Sequence, residues 1–267
     1  MKPTIGLIAG SGKLPLLLAA NIRTSGHRLV IIGYNGVTRK DLGRYANGFH
    51  WVHIGELGET IRWLAEEGAE QVIFAGEISK KHFFSKAKPD ARAIQVLLRL
   101  PDKKDDAILR AIAREMESEG MEVISPSLFL AEQMAPRGVL TERKPTEREQ
   151  RDIDFGWSMA KKLGELDVGQ TLVVKDQIVL AMEAIEGTDA AIRRGGKLGR
   201  RDVAVIKIFK PQQDPRLDLP VIGPATIKTL KKAGASLLAV EAGRTIIIDK
   251  EKVIPEANRN GLCLIGV

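Results

Sequence analysis

Two kinds of apolar pattern alternate along this chain. Short continuous runs at 4–9 (TIGLIA), 28–32 (RLVII) and 71–75 (QVIFA) have the length and β-branched content of buried strands. Between them, apolar residues return every three to four positions over 13–25 and 57–67, the period of a helix with one buried face. A further strand is expected over 50–54 and a further helical segment over 39–46. Strands separated by helices imply βαβ units and a parallel sheet. Helices over 90–100 and 105–119 and a strand at 122–125 follow, and then Pro126, Pro136, Gly138 and Pro145 punctuate a polar stretch. The domain boundary is placed there, near Ala135, giving domains of 1–134 and 135–267.

The second half has another rhythm. A long helix over 147–166 precedes strands at 171–174 and 178–184, which Lys175, Asp176 and Gln177 join as a hairpin. A helix opening at Gly187 and Thr188, a strand at 203–208, and a helix capped by Gly223 with Pro224 as its first residue come next. Strands at 236–240, 244–248 and 262–267 then complete a mixed sheet. The expected fold class is α/β: an amino-terminal Rossmann-like domain with a parallel sheet and a carboxy-terminal mixed α/β domain, with a ligand cleft between them.

Composition narrows the function classes. Hydrophobic residues at 44% and charged residues at 28% describe a soluble globular chain. A net charge of +7 favours an anionic partner, but aromatics are 4% of residues and no basic run is interleaved with them, so nucleic acid is not expected. The single cysteine, Cys263, excludes an intrachain disulfide and a cysteine metal cluster, which fits the cytoplasm. The amino terminus lacks the apolar core and cleavage site of a signal peptide. The longest apolar run, at 14–20, is far short of the roughly 20 residues that span a bilayer, so any membrane contact is expected to be peripheral.

Candidate chemistry gathers where strands end, because ligands of open α/β sheets bind at the carboxyl ends. Gly10, Ser11 and Gly12, then Gly55 to Gly58, then Gly76, Glu77, Ile78 and Ser79 place three glycine-bearing turns on that rim. The first is neither a P-loop, which needs glycine at Leu7 and a hydroxyl residue at Leu14, nor a dinucleotide fingerprint, which needs glycine at Pro15. What it offers is a backbone that a ligand can approach at a helix start. His50 and His53 are three apart in an expected strand and so face opposite ways, which argues against a shared metal. Lys80, Lys81 and His82 form a solvated basic loop that could meet phosphate, and Asp105 and Asp106 open a helix where negative charge suits the dipole or serves a hard cation.

Two acid-bearing turns stand out in the second half. In EGTDAAIRR, Glu186, Thr188 and Asp189 present oxygens at a helix start, with Asp189 and Arg193 spaced four apart for an ion pair along the helix. In RLDLPVIGPATI, Asp218 sits between two leucines, and Pro220 biases its predecessor towards extended backbone ahead of the Gly223 cap. A carboxylate ahead of a helix end suits phosphate and a divalent ion together.

These blocks, with GLIAGSGKLP, IGELG, FAGEIS, DDAILR and LDVGQ, together resemble the LpxI-type UDP-2,3-diacylglucosamine pyrophosphatases, in the family's order and over nearly the whole chain. The resemblance implies a two-domain enzyme of lipid A biosynthesis that uses Mg2+ or a similar divalent ion. Its substrate would be UDP-2,3-diacylglucosamine, its products UMP and 2,3-diacylglucosamine 1-phosphate (lipid X), with water attacking the phosphorus on the sugar side. Asp218 matches the aspartate that the family needs for hydrolysis. Asp218 with Asp189 is the expected metal pair, and Gly10, Ser11, Gly12, Gly76, Glu77, Thr188 and Arg193 are the expected substrate contacts. Arg193 or Arg194 would neutralise departing UMP, and Leu97, Leu98, Leu128 and Leu130 would line a groove for acyl chains. The protein is expected on the inner face of the inner membrane, and a homodimer is compatible with the sequence. Two rival readings use the same residues: a pyrophosphatase for a soluble nucleotide sugar, and a non-catalytic protein that binds a nucleotide-linked lipid.

Overall fold

Strands β1 (Ile5–Ala9), β2 (Leu29–Tyr34), β3 (Gly48–Val52), β4 (Gln71–Ala75) and β5 (Glu122–Val123) form a sheet in the order β3-β2-β1-β4-β5. Every neighbouring pair is parallel. The computed structural model describes residues 2–78, 87–100 and 105–267. The crossovers carry α1 (Leu14–Thr24), α2 (Leu57–Glu66), α3 (Ala91–Leu98) and α4 (Asp105–Ser118), and the segment expected as helix near 39–46 is a short 3-10 helix, Lys40–Tyr45. Chain order reverses between β1 and β4, the switch point at which such sheets open a crevice for ligands. Both central strands are buried throughout β1 and nearly so in β4, which is why their sequences read as unbroken apolar runs.

The second unit is built on β6 (Gly138–Val139), β7 (Thr171–Lys175), β8 (Ile178–Met182), β9 (Val203–Lys207), β11 (Ala235–Val240) and β13 (Cys263–Gly266), ordered β6-β13-β11-β9-β7-β8. β9, β11 and β13 run parallel, while β6 and β7 are antiparallel to their neighbours, so the sheet is mixed. Helix α5 (Glu147–Glu165) covers one face, where Ile153 and Ala160 meet Leu172, Ile206 and Leu237. Helices α6 (Thr188–Gly199), α7 (Pro224–Lys232) and α8 (Lys250–Arg259) cover the other through Ile192, Ile227, Leu230 and Val253.

Three features differ from the sequence reading. The strand expected at 244–248 does not join the mixed sheet; β12 (Ile246–Ile247) pairs in parallel with β10 (Val221–Ile222) as a separate ribbon. Helix α8 was not anticipated, because Pro255 interrupts its pattern, yet it forms with Asp249 in left-handed backbone at its start. The third concerns chain tracing: compact unit one comprises Met1–Ala131 with Asp214–Asp218, and unit two Glu132–Gln213 with Leu219–Val267. A five-residue excursion therefore returns to the first unit, which a single boundary near Ala135 does not contain. Among the described residues no helix is long and apolar enough to cross a membrane.

Candidate active site

At the switch point of the first sheet, the turns after β1 and β4 are zipped together. Ser11 N donates to the Glu77 carbonyl (2.9 Å) and Glu77 N to the Ser11 carbonyl (3.3 Å), while Gly10 N reaches the Ala75 carbonyl (2.8 Å). The Ser11 hydroxyl also donates to the Glu77 carbonyl (2.8 Å), so its proton is engaged within the corner. This closeness explains two glycines: a Cβ on Gly10 would lie 2.8 Å from the Glu77 carbonyl oxygen, and one on Gly76, at φ +86, would lie 2.5 Å from that of Ser11. Gly12 has φ +94 with nothing near its missing Cβ, and it precedes α1, whose start has no side-chain cap. Its first-turn N–H groups are the kind that accept a phosphate. The Thr38 hydroxyl, which accepts from Tyr34 N (2.8 Å) and donates to the Ala9 carbonyl, ties the end of β2 to the same corner. Burial pushes the Tyr34 phenol up to about 12, so it stays neutral. The Gly55 turn stands apart at the sheet edge after β3, where its missing Cβ would meet Pro89 and Gly58 N donates to the Asp90 carboxylate (2.7 Å).

Asp218 is exposed and closes the turn that returns to the first unit. Its N–H and that of Leu217 donate to the Asp214 carbonyl (3.3 and 3.0 Å). Leu217, 5% exposed, is buried among Val30, Ile32, Met116 and Val123. The Arg216 guanidinium grips the Asp214 carboxylate through Nε (3.1 Å) and Nη2 (2.8 Å), which holds Asp214 below the usual carboxylate range, and Nη1 reaches Glu117 on α4 (2.8 Å). The acid is thus displayed on a turn whose own backbone is fixed.

In the second unit, Gly187 caps α6 with φ 83 and ψ 165 and no side-chain bond. That backbone is reached almost only by glycine, and its first-turn N–H groups have no cap. The Thr188 hydroxyl donates to Glu183 Oε1 (2.9 Å) and accepts from Lys207 Nζ (2.9 Å), and it lies 3.3 Å from the Thr171 hydroxyl. Thr188 is therefore committed to a buried network, and its side chain positions the helix start. Arg193 and Asp189 are exposed, and among the described residues no ion pair joins them; the neighbouring Arg194 instead binds Glu186 (2.6 Å) and the Met182 carbonyl (2.7 Å). Hydrogen bonding from Arg194 holds Glu186 below the usual range.

Lys207 and Glu183 escaped the sequence reading. Both are buried, and among the described residues Glu183 Oε2 and Gln170 Oε1 have no hydrogen-bond partner. The signal for Lys207 was present as a charge inside the otherwise apolar strand VAVIKIF. Other expectations resolve into structure. His50 stacks on Trp63 at 3.9 Å and pairs with Glu67 (2.8 Å). Glu241 accepts from Lys161 Nζ (2.7 Å) and Phe209 N (2.8 Å), and Asp106 pairs with Arg110 (2.6 Å). Leu130 is fully buried, which removes it from any acyl groove, whereas Leu98 and Leu128 are exposed. Ser79, Lys80, Lys81, His82, Lys104 and the Asp105 side chain lie outside the described residues. Among the described residues no three histidine, cysteine or acidic side chains converge as a metal cage. Mg2+ seldom needs one, since it binds through one or two carboxylates, water and substrate phosphate, and the exposed Asp218 fits that donor set.

Residues 4–133 match the model of the LpxI N-terminal domain and residues 136–265 that of the LpxI C-terminal domain. The UDP-2,3-diacylglucosamine pyrophosphatase LpxI of Caulobacter vibrioides is 39% identical, over 98% of this chain and 97% of its own. Among solved structures, a UDP-glucose-4-epimerase from Stenotrophomonas maltophila is 14% identical over 54% of this chain and 41% of its own, with a TM-score of 0.32. The Bordetella bronchiseptica enzyme WbmG is 15% identical over 45% of this chain and 36% of its own, at 0.31.

Proposed function

This chain belongs to the LpxI family, and from that membership we infer that it hydrolyses the pyrophosphate of UDP-2,3-diacylglucosamine to UMP and 2,3-diacylglucosamine 1-phosphate, a step of lipid A biosynthesis. The observation that carries the inference is the identity of 39% over nearly the full length of both chains. Asp218 is assigned as the catalytic carboxylate, acting as general base. Its place in the LDLP block, its exposure and the fixed turn beneath it all support that assignment.

Hydrolysis of a phosphoanhydride needs an oriented water, neutralised phosphate oxygens and a stabilised leaving group. The Asp218 carboxylate, acceptor-only when ionised, orients the attacking water and takes up its proton as the new P–O bond forms on the sugar-side phosphorus. The bridging oxygen leaves with UMP. A divalent ion held by Asp218 and the substrate phosphates would supply charge neutralisation and polarisation of the phosphoryl group. Asp189 is a second candidate ligand, exposed in the first turn of α6. Within the first unit, the uncapped start of α1 is a candidate to donate N–H groups to phosphate oxygens, and the Gly12 corner leaves room for such an approach; the start of α6 offers the same kind of donors in the second unit. Arg193, exposed on α6, supplies positive charge for departing UMP. The diacylated substrate and the net charge of +7 together support work at an anionic membrane surface.

The test is metal-dependent release of UMP from UDP-2,3-diacylglucosamine by the purified chain. Turnover with Mg2+ that a chelator abolishes is the expected result. Release that survives chelation contradicts the metal assignment, and equal turnover of the deacylated nucleotide sugar contradicts the lipid one.

A further inference from the structure

The five residues 214–218 are the one stretch of the second half assigned to the first unit, and their attachment there is specific. Leu217 enters the core beside Met116 and Val123, the Ser125 hydroxyl donates to the Pro215 carbonyl (2.9 Å), and Arg216 bridges Asp214 to Glu117. Asp218 follows two residues after Arg216 and shares the turn's Asp214 carbonyl. We propose that Glu117 and Arg216 are positioning residues for Asp218: the contact from α4 to the turn sets where the first unit presents an acid encoded in the second half of the chain. The proposal rests on the reading of Asp218 as the catalytic carboxylate.

Magnitudes distinguish positioning from stability. The Arg216 and Glu117 side chains are 43% and 37% exposed, and pairs so open to solvent contribute little to folding. Leu217 already anchors the segment against being lost. What the outer contact adds is direction: Arg216 spans the turn that Asp218 terminates and joins it to α4, whose Asp106 carboxylate also lies 3.5 Å from Asp214 N. A small misplacement of a catalytic group lowers a rate far more than it lowers stability.

Glu117→Ala and Arg216→Ala, measured in the full-length chain on UDP-2,3-diacylglucosamine, are expected to lower kcat about tenfold to a hundredfold while KM and the folded fraction by circular dichroism stay near wild type. Combining them should cost scarcely more than Arg216→Ala alone. Glu117→Gln keeps an acceptor for Arg216 and is expected to recover most of the rate that Glu117→Ala loses. Asp218→Ala runs alongside as the control. If it is inactive while Glu117→Ala and Arg216→Ala keep the wild-type kcat, the positioning role is overturned. A kcat that falls only in step with the folded fraction overturns it equally. An active Asp218→Ala variant instead removes the underlying assignment of the acid.

Discussion

Where β9, β11 and β13 begin, Arg143 grips the Glu149 carboxylate with two nitrogens (both 2.8 Å) and also bonds the Gly261 carbonyl (2.9 Å), while Ser236 donates to the same carboxylate (2.6 Å). Beside it, Asp152 accepts from the backbone of Asp176 (3.2 Å) and Gln177 (2.6 Å), fixing the β7–β8 hairpin. At the opposite edge, where β8 and β9 end, Gly187 opens α6 without a side-chain cap in backbone that suits only glycine, and among the described residues Glu183 Oε2 is buried without a partner. One edge devotes its polar groups to holding the fold. The other also holds a buried network of Thr188, Glu183 and Lys207, but it leaves the α6 start uncapped and one Glu183 oxygen unpaired among the described residues, and it is the edge where open α/β sheets bind ligands. An open cavity of about 340 Å3 lies on the first edge, lined by Arg143, Glu149, Asp152 and Ser236. A cavity there does not make that edge the site, because its lining side chains are engaged with one another and with backbone.

The contrast breaks most sharply at Glu149. Glu149→Ala leaves Arg143 two-thirds buried without its carboxylate and is expected to cost about 3 kcal/mol in urea unfolding, with turnover per folded molecule unchanged. The same carboxylate gives a pH signature. Burial alone would raise its pKa, but bonds from Arg143, Ser236 and Thr146 outweigh that and hold it at about 2. Because the folded value lies below the unfolded one of 4.5, the stabilisation is complete above about pH 4.5 and is lost as pH falls towards 2. Glu149→Gln should flatten that acid limb of stability; an unchanged limb would mean that other groups control it.

Smaller effects belong to the other edge. Gly187→Ala meets no neighbouring atom, so its expected cost of about 2 kcal/mol is backbone strain alone, and it should weaken substrate binding by disturbing the helix start. Thr188→Val, which removes the hydroxyl shared by Glu183 and Lys207, is expected to cost about 1.5 kcal/mol with a raised KM. If either variant lost stability without any change in KM, the carboxyl edge would be as structural as the amino edge.

Local chemistry was legible where it acted locally. The apolar runs around 4–9 and 71–75 became β1 and β4, and Gly223 with Pro224 opened α7 as their residue types require. Pairings between distant segments were not legible. Nothing in Val221 or Ile246 says that they pair with each other and not with the main sheet, and Pro255 concealed α8 by breaking its period. At the site, glycine corners could be read as turns, but not that Gly10 and Gly76 exist for each other, since that closeness follows from strand order. The Asp189 and Arg193 spacing suggested an ion pair, yet Glu186 engages Arg194. Lys207 stood out as a charge inside an apolar strand, but its partner Thr188, the burial of Glu183 and the return of 214–218 to the first unit are tertiary facts, carried by packing that no local pattern encodes.

The central claim is that an exposed carboxylate on a fixed turn drives cleavage of a nucleotide-linked pyrophosphate. It is tested most directly by the rate of UMP release from UDP-2,3-diacylglucosamine with Mg2+, for the wild-type chain and for Asp218→Ala, alongside substrate affinity. Loss of release in the variant with affinity retained is the predicted result. Release at the wild-type rate from Asp218→Ala would contradict the account.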